Sequence, residues 1–275
     1  MNIYNNHVFG DVKAFELGFG PVGRPFMNTY CYMIGDILID TAQMRMRKAF
    51  IEIIRNQRIR HAVLTHHHED HSGNAGVLKK LNNIPIYGHE LTVKKMAKGF
   101  PILPYQLLIW GKADTVEVLP LPEKIEGERY TLIPVHTPGH SKDHTVFWEK
   151  DRGWLFSGDL FLGTKIKFFR TDESIRDSID SIKKVLLLDF DGLFCGHNPQ
   201  PINGKTALSK KLEFLEDLYG KVIHLLQKGY NERSIMKAIA PKYKEATFIK
   251  YMTFKNASFS NAIRSIERSG RNCLR

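Results

Sequence analysis

The stretch VLTHHHEDHSGN, residues 63–74, runs from a short apolar segment straight into four histidines, a glutamate and an aspartate at the consecutive positions 66–71. A strand that ends near Thr65 leaves its sheet as extended chain, on which residues two apart share a face. His66 and His68 then converge, while His67 points the other way. Asp70 and His71 fall where the next helix starts, within reach of a second point beside the first. Neutral imidazoles and hard carboxylates at this spacing suit a pair of divalent metal ions. Zinc is favoured by affinity order, and iron or manganese also fits.

The flanking text supports a sheet edge. VKAFELGFG (12–20), NTYCYMIG (28–35) and DILIDTA (36–42) are short, rich in β-branched or aromatic residues, and cut by Gly and Asp turns, as strands are. RMRKAFIEIIRNQ (45–57) has apolar residues at 46, 50, 53 and 54, a helical spacing, and HAVLT (61–65) is the strand that feeds the cluster. SGNAGVLKKLN (72–82) is helical again, IPIYGH (84–89) a strand, and ELTVKKMAKG (90–99) a helix stopped by Gly99. Residues 100–122 carry four prolines and read as an insertion or lid. Strands return in RYTLIPV (129–135), HTVFWEK (144–150), GWLFSGD (153–159) and GLFCGH (192–197), the middle pair turning at Asp151 to Gly153. Beyond residue 204 the pattern is helical, with ALSKKLEFLEDLYGKVIHLLQKG (207–229) as its longest amphipathic segment.

Composition bounds the function classes. A hydrophobic share of 43% is that of a globular chain, and no apolar run approaches the roughly 18–20 residues that span a bilayer. The polar start, MNIYNNHVFGDV, has neither a basic nor an apolar leader region, so a cytoplasmic protein is expected. The three cysteines, Cys31, Cys195 and Cys273, are widely spaced and form neither a disulfide framework nor a thiolate zinc knuckle. The net charge of +11 suits anionic partners but does not choose among them.

Three later segments, HTPGHSKDH (136–144), LFSGDLFLG (155–163) and LFCGHNP (193–199), place glycine beside a lone His or Asp where an apolar strand ends. Glycine permits the tight turn and close backbone approach needed to aim a ligand from a strand end. On these residues the chain resembles the metallo-β-lactamase-fold hydrolase superfamily. The HxHxDH motif reads as His66-His67-His68-Glu69-Asp70-His71, and further ligands match His140 in TPGH, Asp159 in FSGD and His197 in CGH. ILIDT (37–41) matches the strand and turn before the motif, and the resemblance covers about 30–205.

The resemblance implies an α/β fold, the αβ/βα four-layer sandwich of two mixed sheets flanked by helices. It implies a catalytic domain over 1–205 and a C-terminal helical extension over 206–275, with a winged-helix-like arrangement as one option. His66, His68 and His140 would hold one ion, Asp70, His71 and His197 the other, and Asp159 would bridge them. The implied chemistry is hydrolysis by a metal-bound hydroxide, coordination having lowered the pKa of water from about 15.7 toward 7. Asp70 and Asp159 take part in catalysis in this scheme. His144 is a candidate proton donor or substrate-positioning group, with a structural hydrogen bond as the alternative. Asp40 matches the family's aspartate that orients the site from behind. His67 and Glu69 are expected to find backbone or helix-cap partners, and His89 and His136 to be structural.

One such site serves several chemistries, so the fold does not name the substrate. The first reading is a small ester, thioester or lactone, anionic in keeping with the basic chain, with residues 100–110 and GFGPVGRPF (18–26) walling the pocket. The alternative is a metal-dependent phosphodiesterase or endoribonuclease. It rests on the positive charge and on the likeness of TPGHSKDH and the tail NAIRSIERSGR (261–271) to β-lactamase-like endoribonucleases. LFLGTKIKFFR (160–170) departs from the Cys-Gly-Arg turn of hydroxyacylglutathione hydrolases, which weighs against glutathione thioesters. In that stretch Lys165 and Lys167 either face an anionic substrate group or mark a basic edge strand. NERSIMKAIAP (231–241) and SFSNAIRSIERSG (258–270) read as two short helices, the second closed by Gly270 and, with the residue after it, carrying Arg264, Arg268 and Arg271 along one side. A homo-oligomer is compatible with the chain, and nothing in it suits membrane insertion.

Overall fold

Alternation along the strands assigns each buried side chain to one of two apolar layers. The computed structural model describes the chain except residues 22, 167–168, 240–252, 254–255 and 274–275, and gives the backbone alone for residues 82 and 271–273. It divides into two compact units, one formed by residues 1–136, 143–159 and 189–204, the other by 137–142, 160–188 and 205–275.

The first unit holds both sheets. β1 (Ile3–Phe9), β2 (Val12–Gly18), β3 (Thr29–Ile34) and β4 (Ile37–Ile39) run antiparallel in order, and β5 (His61–Val63), β6 (Ile86–Gly88) and β7 (Leu119–Pro120) extend the sheet in parallel. The second sheet places β8 (Ile125–Glu126), β9 (Thr131–His136), β10 (Thr145–Glu149) and β11 (Trp154–Gly158) antiparallel, with β12 (Gly192–Cys195) parallel to β11 at its edge. Both sheets are mixed, as expected.

Tyr32, Ile34, Ile37, Ile39 and Val63 of the first sheet share a buried cluster with Leu132, Phe147, Phe156 and Phe194 of the second. The intervening residues Cys31, Met33, Leu38, Ala62 and Leu64 turn to the other layer. There they meet Phe50, Ile53 and Ile54 of α1 (Arg47–Arg55), Val77 and Leu78 of α3 (Ala75–Asn82), and Met96 of α4 (Glu90–Lys98). A single turn, α2 (Glu69–Ser72), precedes α3. Phe147, Phe156 and Phe194 are almost wholly buried, each contributing about 1.5–3 kcal/mol of transfer free energy.

Two elements of this unit depart from the sequence reading. The polar start forms β1, an edge strand whose Asn5 and Asn6 are exposed, turning at Gly10 with φ +60° into β2. The proline-rich segment contains α5 (Pro104–Ile109), started by Pro104 in the first turn, where its missing N–H costs nothing.

The second unit is helical. α6 (Ile175–Leu186) was not expected from the sequence. It buries Ile175, Ile179, Ile182 and Val185 and is capped by Ser174, whose Oγ accepts the Asp177 amide. α7 (Gly204–Gln227) and α8 (Glu232–Ile239) match the expected helices, Asn231 capping α8 by accepting the Ser234 amide at 3.0 Å; residues 240 and 241 of the second lie outside the described residues. α9 (Phe259–Cys273) packs on α6 and α8 through Ala262, Ile263 and Ile266. It runs past Gly270 instead of ending there; Gly270 serves a close approach, since a Cβ would lie 2.8 Å from Ile223 Cδ1. No helix among the described residues is long and apolar enough to cross a membrane.

Candidate metal centre

The cluster at 66–71 forms where β5 runs out. His66 Nε2 and His68 Nδ1 face each other at 2.9 Å, with ring centroids 4.4 Å apart. His67 turns away, and its Nδ1 meets Asp143 at 2.9 Å. The expected backbone or cap partner of His67 is thus a buried carboxylate, far off in sequence. Asp70 and His71 lie on α2, whose carbonyl at His71 is held by the Thr41 amide at 2.7 Å and the Thr41 hydroxyl at 3.0 Å.

Asp159 follows β11 and His197 follows β12, adjacent parallel strands of the second sheet, so both reach the same sheet end. Ligand atoms of His66, His71 and Asp159 lie within 4.8 Å of one another, as do those of Asp70, His71 and His197. Gly196 makes this approach available: a Cβ there would sit 2.4 Å from His71 Cε1 and 2.7 Å from Asp159 Oδ1.

Hydrogen bonds behind the two imidazoles decide which nitrogen faces the centre. His197 Nδ1 donates to the Asn28 carbonyl at 2.7 Å, and His71 Nδ1 donates to Asp40 Oδ2 at 2.8 Å. In a neutral ring the Nε2 lone pair is then directed inward. His197 Nε2 stands 3.4 Å from both Asp70 Oδ2 and Asp159 Oδ1, and His71 Nε2 stands 3.2 Å from Asp159 Oδ1. Lone pairs facing carboxylates repel, so the arrangement calls for positive charge between them. Without a cation that charge falls on the rings. Burial alone disfavours each imidazolium, but Asp159 and Asp70 outweigh it, raising His197 to about 10 and His71 well above the ordinary value. Nitrogen and carboxylate donors at this spacing fit a divalent cation.

Asp40 lies behind His71, on the side away from Asp70 and Asp159. Besides His71, its carboxylate accepts the Thr65 amide and hydroxyl, each at 2.8 Å. It does so from a left-handed backbone, φ +60°, which Asp tolerates better than most residues. His144 is fully buried, and its Nε2 accepts the Asp159 amide at 3.0 Å. His89 caps α4 by accepting the Leu91 amide and stacks on His136 at 4.4 Å.

His140 belongs to the second unit, in the short segment 137–142 that α6 clamps. Ser174 N–H donates to the Gly139 carbonyl at 2.8 Å, Ser181 Oγ donates to the Pro138 carbonyl at 2.7 Å, and His140 Nδ1 lies 3.1 Å from Glu173 Oε1. Gly139 has φ +143°, and a Cβ would lie 2.4 Å from Ser178 Oγ, which accounts for the glycine of TPGH. Sequence reasoning missed Glu173 and α6; the pattern Ser174, Asp177 and apolar 175, 179 and 182 carried the signal. Lys167 lies outside the described residues, so its pairing with Lys165 does too. Arg170 is engaged with Asp172 at 3.0 Å. Arg264 pairs with Glu232 at 2.9 Å, and the Arg271 side chain is outside the described residues.

Residues 24–197 match the family model of the Metallo-beta-lactamase superfamily, more than half of the chain, and the chain belongs to that superfamily. Among curated relatives it is 32% identical over 125 residues to a hydroxyacylglutathione hydrolase of Bdellovibrio bacteriovorus, covering 45% of this chain and 43% of that protein. It is 28% identical over 198 residues to a beta-lactamase-like protein 2 homolog of Caenorhabditis elegans, covering 66% and 60%. It is 25% identical over 225 residues to an atrochrysone carboxyl ACP thioesterase of Aspergillus fumigatus, covering 79% and 65%. The chain spans about half the length of the curated relatives it matches. Among solved structures, a metallo-beta-lactamase from Pontibacter korlensis superposes with a TM-score of 0.61 at 16% identity, covering 78% of this chain and 99% of that one. A flavoprotein from Thermotoga maritima gives 0.60 at 18% identity, covering 84% and 71%. These likenesses establish the α/β fold read from the sequence, mixed sheets with helices and a helical C-terminal part.

Proposed function

We propose that the protein is a dinuclear metal-dependent hydrolase of small esters, thioesters or lactones. The observation that carries this reading is the inward pair of lone pairs on His71 and His197, fixed by Asp40 and by the Asn28 carbonyl opposite the carboxylates of Asp70 and Asp159. In this reading Asp70, His71 and His197 hold one ion, and His66 and His68 hold the other together with His140, which the motif match adds. Asp159 serves both. Zinc is the proposed metal, with iron and manganese as competitors. Such ions supply a water activated at neutral pH and polarise the bond to be cleaved.

The chain's own residues do the rest. Asp70, with its carboxylate 3.4 Å from His197 Nε2, would hold an ion and through it take part in catalysis, and His144 positions Asp159 by accepting its amide. Trp110, at the end of α5, lies 6.4 Å from the His197 ring and walls the site with apolar surface. Arg45 donates to the Leu107 carbonyl at 2.8 Å and lies over the Phe19 ring, tying the 18–20 loop region to α5. An acyl group beside Trp110 suits the thioesterase and hydroxyacylglutathione hydrolase among the relatives. A phosphodiesterase or endoribonuclease is the second reading, favoured by the net charge of +11 and by the likeness of TPGHSKDH and the tail 261–271 to β-lactamase-like endoribonucleases.

The test is elemental analysis of protein purified without added metal, joined to a panel of ester, thioester, lactone and phosphodiester substrates. Two ions per chain and acyl hydrolysis are expected, with Asp159→Ala folded but losing about a hundredfold or more in turnover. One ion or none at saturating metal would sink the dinuclear reading.

A further inference from the structure

Behind the metal-facing side of the 66–71 turn lies a set of polar side chains that the reading above does not use. Asp143 is fully buried. Its Oδ2 accepts the His67 backbone N–H at 3.0 Å and the Thr92 hydroxyl at 2.8 Å, and both of its oxygens lie within 3.0 Å of His67 Nδ1. An ionised carboxylate only accepts, so His67 Nδ1 carries the proton, and Lys95 Nζ lies against the ring, 3.1 Å from Nε2 and 3.3 Å from Nδ1. Lys95 also stands 3.7 Å from Asp143 Oδ1, a positive counterpart for a buried negative group. Burial by itself would raise the Asp143 pKa, but the His67 hydrogen bond, Lys95 and Thr92 reverse this and keep the carboxylate ionised.

The neighbours of Asp143 grip the same region. His144 accepts the Asp159 amide, and the Thr145 amide donates to the Thr65 carbonyl at 2.8 Å. Three consecutive residues therefore fasten three places from which metal ligands are presented: the turn itself, the residue before it, and Asp159. Of these three, Asp143 is the one that reaches between His66 and His68, at the amide of His67, whose carbonyl accepts the Ser72 hydroxyl at 2.7 Å. A rotation of that peptide would swing the two flanking rings, since alternate residues of extended chain share one side.

We propose that Asp143 is a positioning residue for metal binding: through the His67 amide and ring it sets the turn that presents His66 and His68 together, with Lys95 as its charge partner. The proposal rests on the reading that His66 and His68 hold an ion.

The test titrates the metal-stripped full chain with Zn²⁺ and with Co²⁺ against a chromophoric chelator, resolving the two equivalents. Asp143→Asn keeps the shape but replaces one acceptor oxygen with a donor. It should weaken one equivalent by about 10–100-fold and alter the Co²⁺ absorption of that equivalent, while the ion held by Asp70, His71 and His197 binds as before. Thr92→Val removes a single donor to the carboxylate and should shift the same equivalent in the same direction by less. If Asp143→Asn does not fold, Thr92→Val decides. Unchanged binding, or equal weakening of both equivalents, overturns the proposal. A wild-type chain that binds no metal overturns the underlying reading, and is recognised before any variant is made.

Discussion

Asp40 Oδ2 accepts a hydrogen bond from Nδ1 of His71 at 2.8 Å, and this contact determines which nitrogen of His71 looks into the candidate centre. Asn in place of Asp keeps the left-handed backbone tolerable but lacks a second acceptor oxygen for His71 and Thr65. Asp40→Asn is expected to lower metal affinity by about 10–100-fold with a nearly unchanged fold. Chelator competition and circular dichroism measure the two effects separately. Wild-type affinity in the variant would remove Asp40 from the account.

Gly196→Ala introduces a methyl group 2.4 Å from His71 Cε1 and 2.7 Å from Asp159 Oδ1. His71 cannot retreat without leaving its hydrogen bond to Asp40, so the variant should lose binding of the ion assigned to His71. Metal content after saturation and dialysis checks this, and a full complement of metal would contradict the packing argument.

Gly220 is the opposite case. It is exposed within α7, and nothing lies within 4 Å of an added Cβ. Gly220→Ala should stabilise the chain by up to about 1 kcal/mol through helix propensity, read as a higher denaturation midpoint with the same activity. A lower midpoint would mean that position 220 has a partner the isolated chain does not reveal.

Arg264 and Arg268 separate the two substrate readings. Arg264 is already engaged by Glu232 at 2.9 Å, which reduces its availability to phosphates. The double variant Arg264→Ala/Arg268→Ala should leave ester hydrolysis intact, and the parent should show little salt-sensitive affinity for single-stranded RNA. Binding that weakens steeply with salt, together with loss of RNA cleavage in the double variant, would favour the nuclease.

Much of the fold was legible because its signals are local. Short runs of β-branched and aromatic residues between Gly and Asp turns marked β2 to β6 and β9 to β12, and glycine beside a lone His or Asp marked the candidate ligands. β1 escaped because Asn5 and Asn6 interrupt its apolar alternation, which an exposed edge strand allows. α5 escaped because its prolines look like breaks, although Pro104 starts the helix. The tie between His67 and Asp143 spans 76 positions and the tie from His67 to Lys95 spans 28, so no window of sequence contains either. Glu173 was hidden for the same reason: its relation to His140 depends on α6 folding back onto the TPGH segment.

The edge position of β12 has a consequence for biosynthesis. β12 pairs with β11, its following residue Gly196 accepts the Tyr30 amide at 2.8 Å, and His197 comes next. A chain emerging from the ribosome therefore releases the 66–71 turn long before the strand that brings in His197 and closes the end of the second sheet. Until then the histidines of 66–71 have beside them neither the carboxylate that follows β11 nor the imidazole that follows β12. The proposed centre can therefore be completed only late in synthesis, once both sheets of the first unit are in place.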